Sequence, residues 1–489
     1  MTFLLLSSRI RHALADYGER TVIEAADGKW RLTGAQLLGG ADLLLEALQR
    51  HADRPLIAYL HKSPLYYAFI TCSFLNHLDF CPLDTDNPIE RVLDVASQLA
   101  GALILCDSDK VLAQLRDRTE HCIKIDLSFE DVKCHSTNGE GNRAAYEASY
   151  YIATSGSTGL PKLVEVPHDR TIPFIEWAIP FYGICHSSRW AQFSSIGFDL
   201  SLADFLSVVC GGGTLISLFA QLDRIRPAKA VLRSGITHWH SVPSMIPYFL
   251  RESGGANAGS TCRLFTFCGE PLMKTDADRL AERYPNARIV NTYGPTEATL
   301  FCSFFEYEVA DSTATETSLP IGQPIPSWNF VLLPEEGVLR LIILSDNLSN
   351  GYVGLRSPSF STADLFGRKI RAFDTGDFFK RVGRHLYFSH RKDGMVKING
   401  NRIDLGEIEA VAKRTGLVNP VAVVIKNTII VVAEHAAGDT PELMTELCKY
   451  LPRTSLPAAI RFVGHHPRTV NGKLDRRAIQ GGCGDIDEP

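Results

Sequence analysis

Short apolar runs alternate with helical patterns along most of this chain, and that rhythm leaves few folds open. LIAYL (56–60), ALILCD (102–107), HCIKIDL (121–127) and TLISLF (214–219) have the length and aliphatic content of strands buried on both faces. Patterns of helical period fill the intervals. One begins at Thr33, where Thr33-Gly34-Ala35-Gln36 forms a capping box ahead of LLGGADLLLEAL. The fold class this predicts is α/β, in layers with largely parallel sheets. At 489 residues the chain exceeds what one core organises, so roughly two or three domains are expected.

The rhythm changes after residue 370. RAFDTGDFFKR and HLYFSHRKDGMVKINGNRI read as short β-segments broken by Gly, Asp and Asn turns, one of them a tight Thr-Gly turn before Asp377. Asp404 and Glu407 form a D-x-x-E cap on the helix LGEIEAVAKRTG, with Gly416 as its stop. A strand pair (VAVVIK, TIIVVAEH) and a helix near 441–451 follow. We place a domain boundary at Lys392–Asp393, separating a large region, 1–392, from a compact α+β domain, 393–489. The polar stretch 129–147 is expected to be a surface connection.

Bulk properties exclude several classes. A net charge of −5 gives no general pull toward nucleic acid or anionic membrane. The twelve cysteines form no CxxC pair and fit a reducing, cytoplasmic setting better than a disulfide scaffold. MTFLLLSSRIRHALADYG lacks the basic start and small-residue cleavage site of a signal peptide and reads as an amphipathic helix. No apolar stretch reaches the length of a membrane span.

The strongest chemical signal is YYIATSGSTGLPKLVEVPH (150–168). A strand leads into Thr154-Ser155-Gly156-Ser157-Thr158-Gly159, whose small residues and hydroxyls can turn toward phosphate oxygens, with Lys162 as a nearby cation. It is not a P-loop: Leu160-Pro161 precedes the lysine and LVEV is a second strand, so no helix follows. A plain Ser/Gly surface loop is the competing reading, and the flanking strands weigh against it. In NTYGPTEATL (291–300), Asn291 can pair with a purine edge, Tyr293 can stack on a base, and Glu297 is a hard oxygen ligand suited to Mg²⁺. Asp377 can hold ribose hydroxyls, and Arg391 can reach a phosphate or ribose. Lys473 follows an Asn471-Gly472 turn that would present it outward. Each of these segments also has a bland reading: a Tyr-Gly-Pro turn, an Asp capping its own turn, a surface ion pair, a solvated terminal lysine.

Taken together, TSGSTGLPK, NTYGPTE, TGD, the R-x-D-x-x-V-K-I-x-G-x-R-I stretch and NGKLDR resemble the adenylate-forming superfamily, in particular the amino-acid adenylation domains of nonribosomal peptide synthesis. CPLDTDNPIER, FDLS and FTFCGEPL extend the likeness over nearly the whole chain, toward the stand-alone D-alanine–carrier-protein ligases. The resemblance implies a large N-terminal adenylate-forming domain and a small mobile C-terminal domain. It implies ATP held by 154–159 and Lys162, with Thr158 and Lys162 acting in catalysis. Asn291, Thr292, Tyr293, Gly294 and Thr296 would line the nucleotide, Glu297 would hold Mg²⁺, and Asp377 and Arg391 would meet the ribose. Asp393 would be the hinge, and Lys473 would bridge the substrate carboxylate and the AMP phosphate.

The same resemblance makes Asp199 the partner of a substrate ammonium. Its pocket would comprise Asp199, Leu200, Ala203, His240, Thr266, Cys268, Thr292, Leu300 and Phe301, with Lys473 at the carboxylate. Ala203 is small, and His240 stands where the D-alanine ligases are apolar, so alanine or a serine-like side chain is expected. His240 reads equally as a core histidine satisfied by backbone. No carrier segment follows NGKLDR, so a separate phosphopantetheinylated carrier protein is the expected acceptor. An acyl-CoA ligase for a non-amino acid is the alternative enzyme, and a non-catalytic nucleotide-binding scaffold the alternative class.

Overall fold

The structure is a computed structural model. It describes residues 5–51, 53–127, 148–154, 160–251, 261–308, 316–365, 367–392, 395–398, 400–436, 440–467 and 476–484. The expected connection at 129–147 lies outside them.

All four expected strands form: Leu56–Leu60, Leu103–Cys106, Cys122–Lys124 and Thr214–Ser217. Leu56–Leu60 is buried at every position, as an unbroken apolar run in a covered parallel sheet must be. It sits inside a seven-stranded sheet, parallel to Phe80–Asp84 and Leu103–Cys106. The hairpin Ser149–Thr154/Lys162–Pro167 forms one flank, closed by Gly351–Tyr352. A second sheet has nine strands. At its centre Arg189–Gln192, His238–Ser241, Leu264–Phe267 and Arg288–Tyr293 run parallel.

The helix Pro64–Leu75 is buried from Leu65 onward and joins the two sheets. Its Tyr67 hydroxyl donates to Gln192 Oε1 (2.5 Å) and accepts from the Ser217 hydroxyl (2.9 Å) of the nine-stranded sheet. Lys62, just beyond the end of Leu56–Leu60, donates to the carbonyls of Gln192 (2.7 Å) and Ser194 (3.0 Å). The capping box at Thr33 forms with both of its hydrogen bonds. The N-terminal helix Leu6–Tyr17 buries Leu6, Ile10, Leu14 and Tyr17, the stripe of an amphipathic helix.

A third, antiparallel sheet is built on the long strand Arg368–Val382. Here the expected Thr-Gly turn is corrected. Thr375-Gly376 lies within that strand, where the pairing register with Val338–Leu344 shifts and Gly376 adopts φ +67°. The irregularity turns Asp377 inward without ending the strand.

The C-terminal residues have their own hydrophobic clusters. The helix Leu405–Arg414 packs with Val421–Ile425, Thr428–Ala433 and the helix Thr440–Tyr450. Asp404 caps the first helix by accepting from Gly406 N–H (2.8 Å), and Gly416, at φ +96°, follows its end. Glu407, in the first turn, also reaches out of this domain: it pairs with Arg91 at 2.6 Å, both side chains buried.

Candidate active site

Thr154 closes one strand of the glycine-rich hairpin and Lys162 opens the next, directly opposite in register. The Thr154 hydroxyl donates to Lys162 O at 3.2 Å. A second strand therefore carries Lys162, as the sequence required, and no helix begins there. Ser155, Gly156, Ser157, Thr158 and Gly159 lie outside the described residues, as do Asp393 and Lys473.

Lys162 Nζ stands 5.7 Å from the centre of the Tyr352 ring. The Tyr352 hydroxyl donates to Glu297 Oε1 at 2.6 Å, and Glu297 is fully buried on the turn Thr296–Ala298. A lysine and a carboxylate from distant segments thus meet around one aromatic ring. Sequence reasoning missed Tyr352. Only the pairing of Gly351–Tyr352 with Lys162–Pro167 brings it here, and no local pattern announces that.

A second cluster joins Tyr293, Asp377 and Arg391. The Tyr293 hydroxyl donates to Asp377 Oδ2 (2.6 Å), and Arg391 Nη1 donates to Asp377 Oδ1 (2.6 Å). The Arg391–Asp377 pair is buried, so the surface ion pair weighed for Arg391 is excluded. Burial, then the Asp377 charge, pushes the Tyr293 hydroxyl well above its usual range. Lys397 Nζ lies 5.9 Å from the centre of the Tyr293 ring. Asn291 is buried with Nδ2 donating to Pro320 O (2.9 Å), while Oδ1 has no hydrogen-bond partner. The Oδ1 acceptor is left to meet a base.

Of the residues expected to form the amino-acid pocket, Asp199 and Ala203 lie a turn apart on the helix Asp199–Gly211, both buried. Thr266, Cys268, Thr292 and Leu300 are buried as well. Burial raises the Cys268 thiol; Thr292 bonds it, and Lys397 and Asp199 both lie close enough to act on it. Thr299 and Leu300 hold φ of +65° and +66°, a costly backbone for residues bearing a Cβ. His240 is buried with Nδ1 2.6 Å from Asp204 Oδ1. A backbone-satisfied core histidine is therefore excluded at this nitrogen. Asp204, the carboxylate that holds it, was not foreseen: its place in an apolar helix was the available signal.

A cavity of about 530 Å³ lies against these segments, and of the expected site residues Thr154, Thr296 and Leu200 are in its lining while Lys162, Asn291, Tyr293, Glu297, Asp377, Arg391, Asp199 and His240 are not. Its lining includes Thr154 from the hairpin, Thr296 beside Glu297, and Gly197, Phe198 and Leu200 around Asp199. Gly400, Asn401 and Arg453 close it from the C-terminal part. Gly400 N–H donates to Glu270, which also accepts from Ser244 N–H. At φ +78°, Gly400 has no room for a side chain, since a Cβ would stand 2.1 Å from Val242 Cγ1. Among the described residues no group of three or more His, Cys, Asp or Glu could hold a metal ion, and no helix is long and apolar enough to cross a membrane.

Comparison with known proteins agrees with this geometry. The chain is 30% identical over 487 residues to a D-alanine--D-alanyl carrier protein ligase of Bacillus cytotoxicus, covering 92% of this chain and 95% of that one. Its fold matches an adenylation domain of Vibrio cholerae, solved in complex with glycyl-adenosine-5'-phosphate, at TM-score 0.83 and 20% identity, over 99% and 98% of the two chains. It also matches an o-succinylbenzoate CoA synthetase of Bacillus subtilis at TM-score 0.80 and 18% identity, over 97% and 98%. The fold alone therefore does not choose the acid. Residues 10–353 match the family model described as AMP-binding enzyme, and the chain belongs to that family.

Proposed function

We propose that the protein activates a small amino acid as its aminoacyl-AMP, releasing pyrophosphate, and then transfers it to the phosphopantetheine thiol of a separate carrier protein. The observation that carries this reading is the shared cavity, bordered by the glycine-rich hairpin, the Glu297 turn and the residues around Asp199. In it Thr154, the residues 155–159 and Lys162 would hold the phosphates. Asn291 would accept from an adenine amino group through Oδ1, and Asp377 and Arg391 would meet the ribose. Asp199, a buried carboxylate at the start of its helix, would pair with the substrate ammonium, which favours an amino acid over a plain acid.

The residues also fit Mg²⁺. Glu297 is one buried carboxylate beside Lys162, and magnesium bridging phosphates takes few protein ligands. Glu297 would hold the ion, which when bound offsets the negative charge of the phosphates. The substrate carboxylate oxygen attacks the α-phosphorus, and the bond to pyrophosphate breaks. Both reactants are anionic, so Lys162 and Lys473 supply the cationic field in a site closed to water. A C-terminal unit divided at Lys392–Asp393 would bring Lys473 in for this step and give way to the carrier thiol for the next.

The test is ATP–pyrophosphate exchange with amino acids, fatty acids and aryl acids, followed by loading of a phosphopantetheinylated carrier. Exchange with amino acids alone, reduced at least ~100-fold in Lys473→Ala, is expected. Exchange only with non-amino acids would move the protein to the acyl-CoA ligases. Undiminished exchange in Lys473→Ala would remove Lys473 from the chemistry.

A further inference from the structure

We propose that the protein associates with a second copy of itself as a two-fold dimer, in which the strand Asn329–Glu335 at the edge of the third sheet pairs antiparallel with the same strand of its partner, centred on Leu332.

Asn329–Glu335 is the end strand of its sheet and pairs with Val338–Leu344 on one side. Glu336 and Gly337 join the two strands, with φ of +49° and +83°. A two-residue turn of that kind sets a hydrogen-bonded pair beside it, here Glu335 with Val338. Antiparallel pairs alternate from there. Leu333 and Val331 therefore bond to Val338–Leu344, while Phe330, Leu332 and Pro334 turn their backbone groups to the open side. Pro334 agrees with that parity, since it has no N–H to give the ladder. Among the described residues, no backbone partner outside the ladder reaches Phe330 or Leu332.

Such an edge invites a further strand, and proteins commonly blunt it with lysine, a bulge or a cover. Residues 329–334 read NFVLLP, without a charge, and the pairing with Val338–Leu344 runs unbroken to Glu335. Phe330 and Leu332 pack against the main core. Val331 and Leu333 point to the other face and are each 38% exposed. Val331 stands opposite Ile342, which packs against Leu344, Ile370 and Ala372, so that face is apolar beyond the strand as well.

The occupant follows from how the strand matches itself. About Leu332, the open backbone groups of Leu332 meet the partner's Leu332, and Phe330 N–H donates to the carbonyl of the partner's Pro334. Each proline is used only as an acceptor. Val331 falls opposite the partner's Leu333, and Leu333 opposite the partner's Val331, which removes both apolar side chains from water. Glu335 falls opposite the partner's Asn329, and the antiparallel sense keeps the Glu335-Glu336 carboxylates of the two chains at opposite ends of the seam. Centring the pair on Val331 instead would set Leu333 against the partner's Asn329. The strand is thus self-complementary in hydrogen bonding, apolar contact and charge, as an isologous two-fold contact requires.

The experiment is sedimentation of the full chain from micromolar to millimolar concentration, where a monomer–dimer equilibrium is expected. Val331→Lys with Leu333→Lys sets lysine against lysine twice across the seam and should raise the dissociation constant at least about tenfold, with the far-ultraviolet circular dichroism unchanged. The register is read by mild oxidation, with the wild-type chain as the control for its own cysteines. A mixture of Val331→Cys and Leu333→Cys proteins should cross-link one variant to the other, and neither to itself. A monomer at every concentration overturns the proposal and leaves the edge to some other partner. A dimer that the lysines leave intact, or one in which Val331→Cys cross-links to itself, overturns it too. Should the double-lysine variant fail to fold, the cross-linking pattern decides.

Discussion

The Asp377 carboxylate is held on both oxygens, by Tyr293 and by Arg391, with almost no water around it. Removing the cation alone would leave a buried charge uncompensated. Arg391→Met should therefore cost about 3–5 kcal/mol, and Arg391→Met with Asp377→Asn should recover much of that, read as shifts of the urea midpoint. His168 gives a pH prediction. Its ring lies buried among Phe74, Phe80 and Tyr150. Burial lowers its pKa from 6.5 to about 3, with His77 adding to the shift. The folded pKa is below the unfolded one, so the unfolded chain binds the extra proton between those values and stability falls with pH through that window. From pH 6.5 to 5 the loss should be about 1.5 kcal/mol, and His168→Phe should abolish that part of the slope in denaturant titrations. Single residues were the least legible part of the sequence. Glu297 could be named because a carboxylate suits a hard metal ion, and Asp199 because the FDLS segment resembles that of the adenylation domains. Tyr352 and Asp204 could not, because what they do depends on partners 55 and 36 residues away.

Elements were far more legible, because strands buried on both faces and a capped helix write themselves in local composition. Leu56–Leu60 and Gly34–Leu48 stand as expected. The failure at Thr375-Gly376 has the opposite cause: a bulge and a turn share the same residue types, and only a strand partner decides between them. Contacts between elements were not written locally at all. Lys62 follows a strand of one sheet and donates to carbonyls at the strand ends of the other. Gln192 O keeps the Leu218 N–H as a donor, but Lys62→Met should remove the ammonium bond to Ser194 O and lower stability by about 1–3 kcal/mol, measured as a drop in the urea midpoint at constant m-value.

Across the whole molecule, the buried Arg91–Glu407 pair links the large part to the C-terminal helix. If the C-terminal part must rearrange between half-reactions, Arg91→Met and Glu407→Gln should each impair carrier loading more than pyrophosphate exchange. Equal losses in both assays would reduce the pair to a structural role. Gly400 adds a consequence of its own. The hairpin tip meets Val242 with no space between them, so its fit is set by the thickness of bare backbone. Any side chain there acts as a shim between the two parts. Gly400→Ala should slow whichever half-reaction needs this close seat, so that one of the two steps lags while the other runs on.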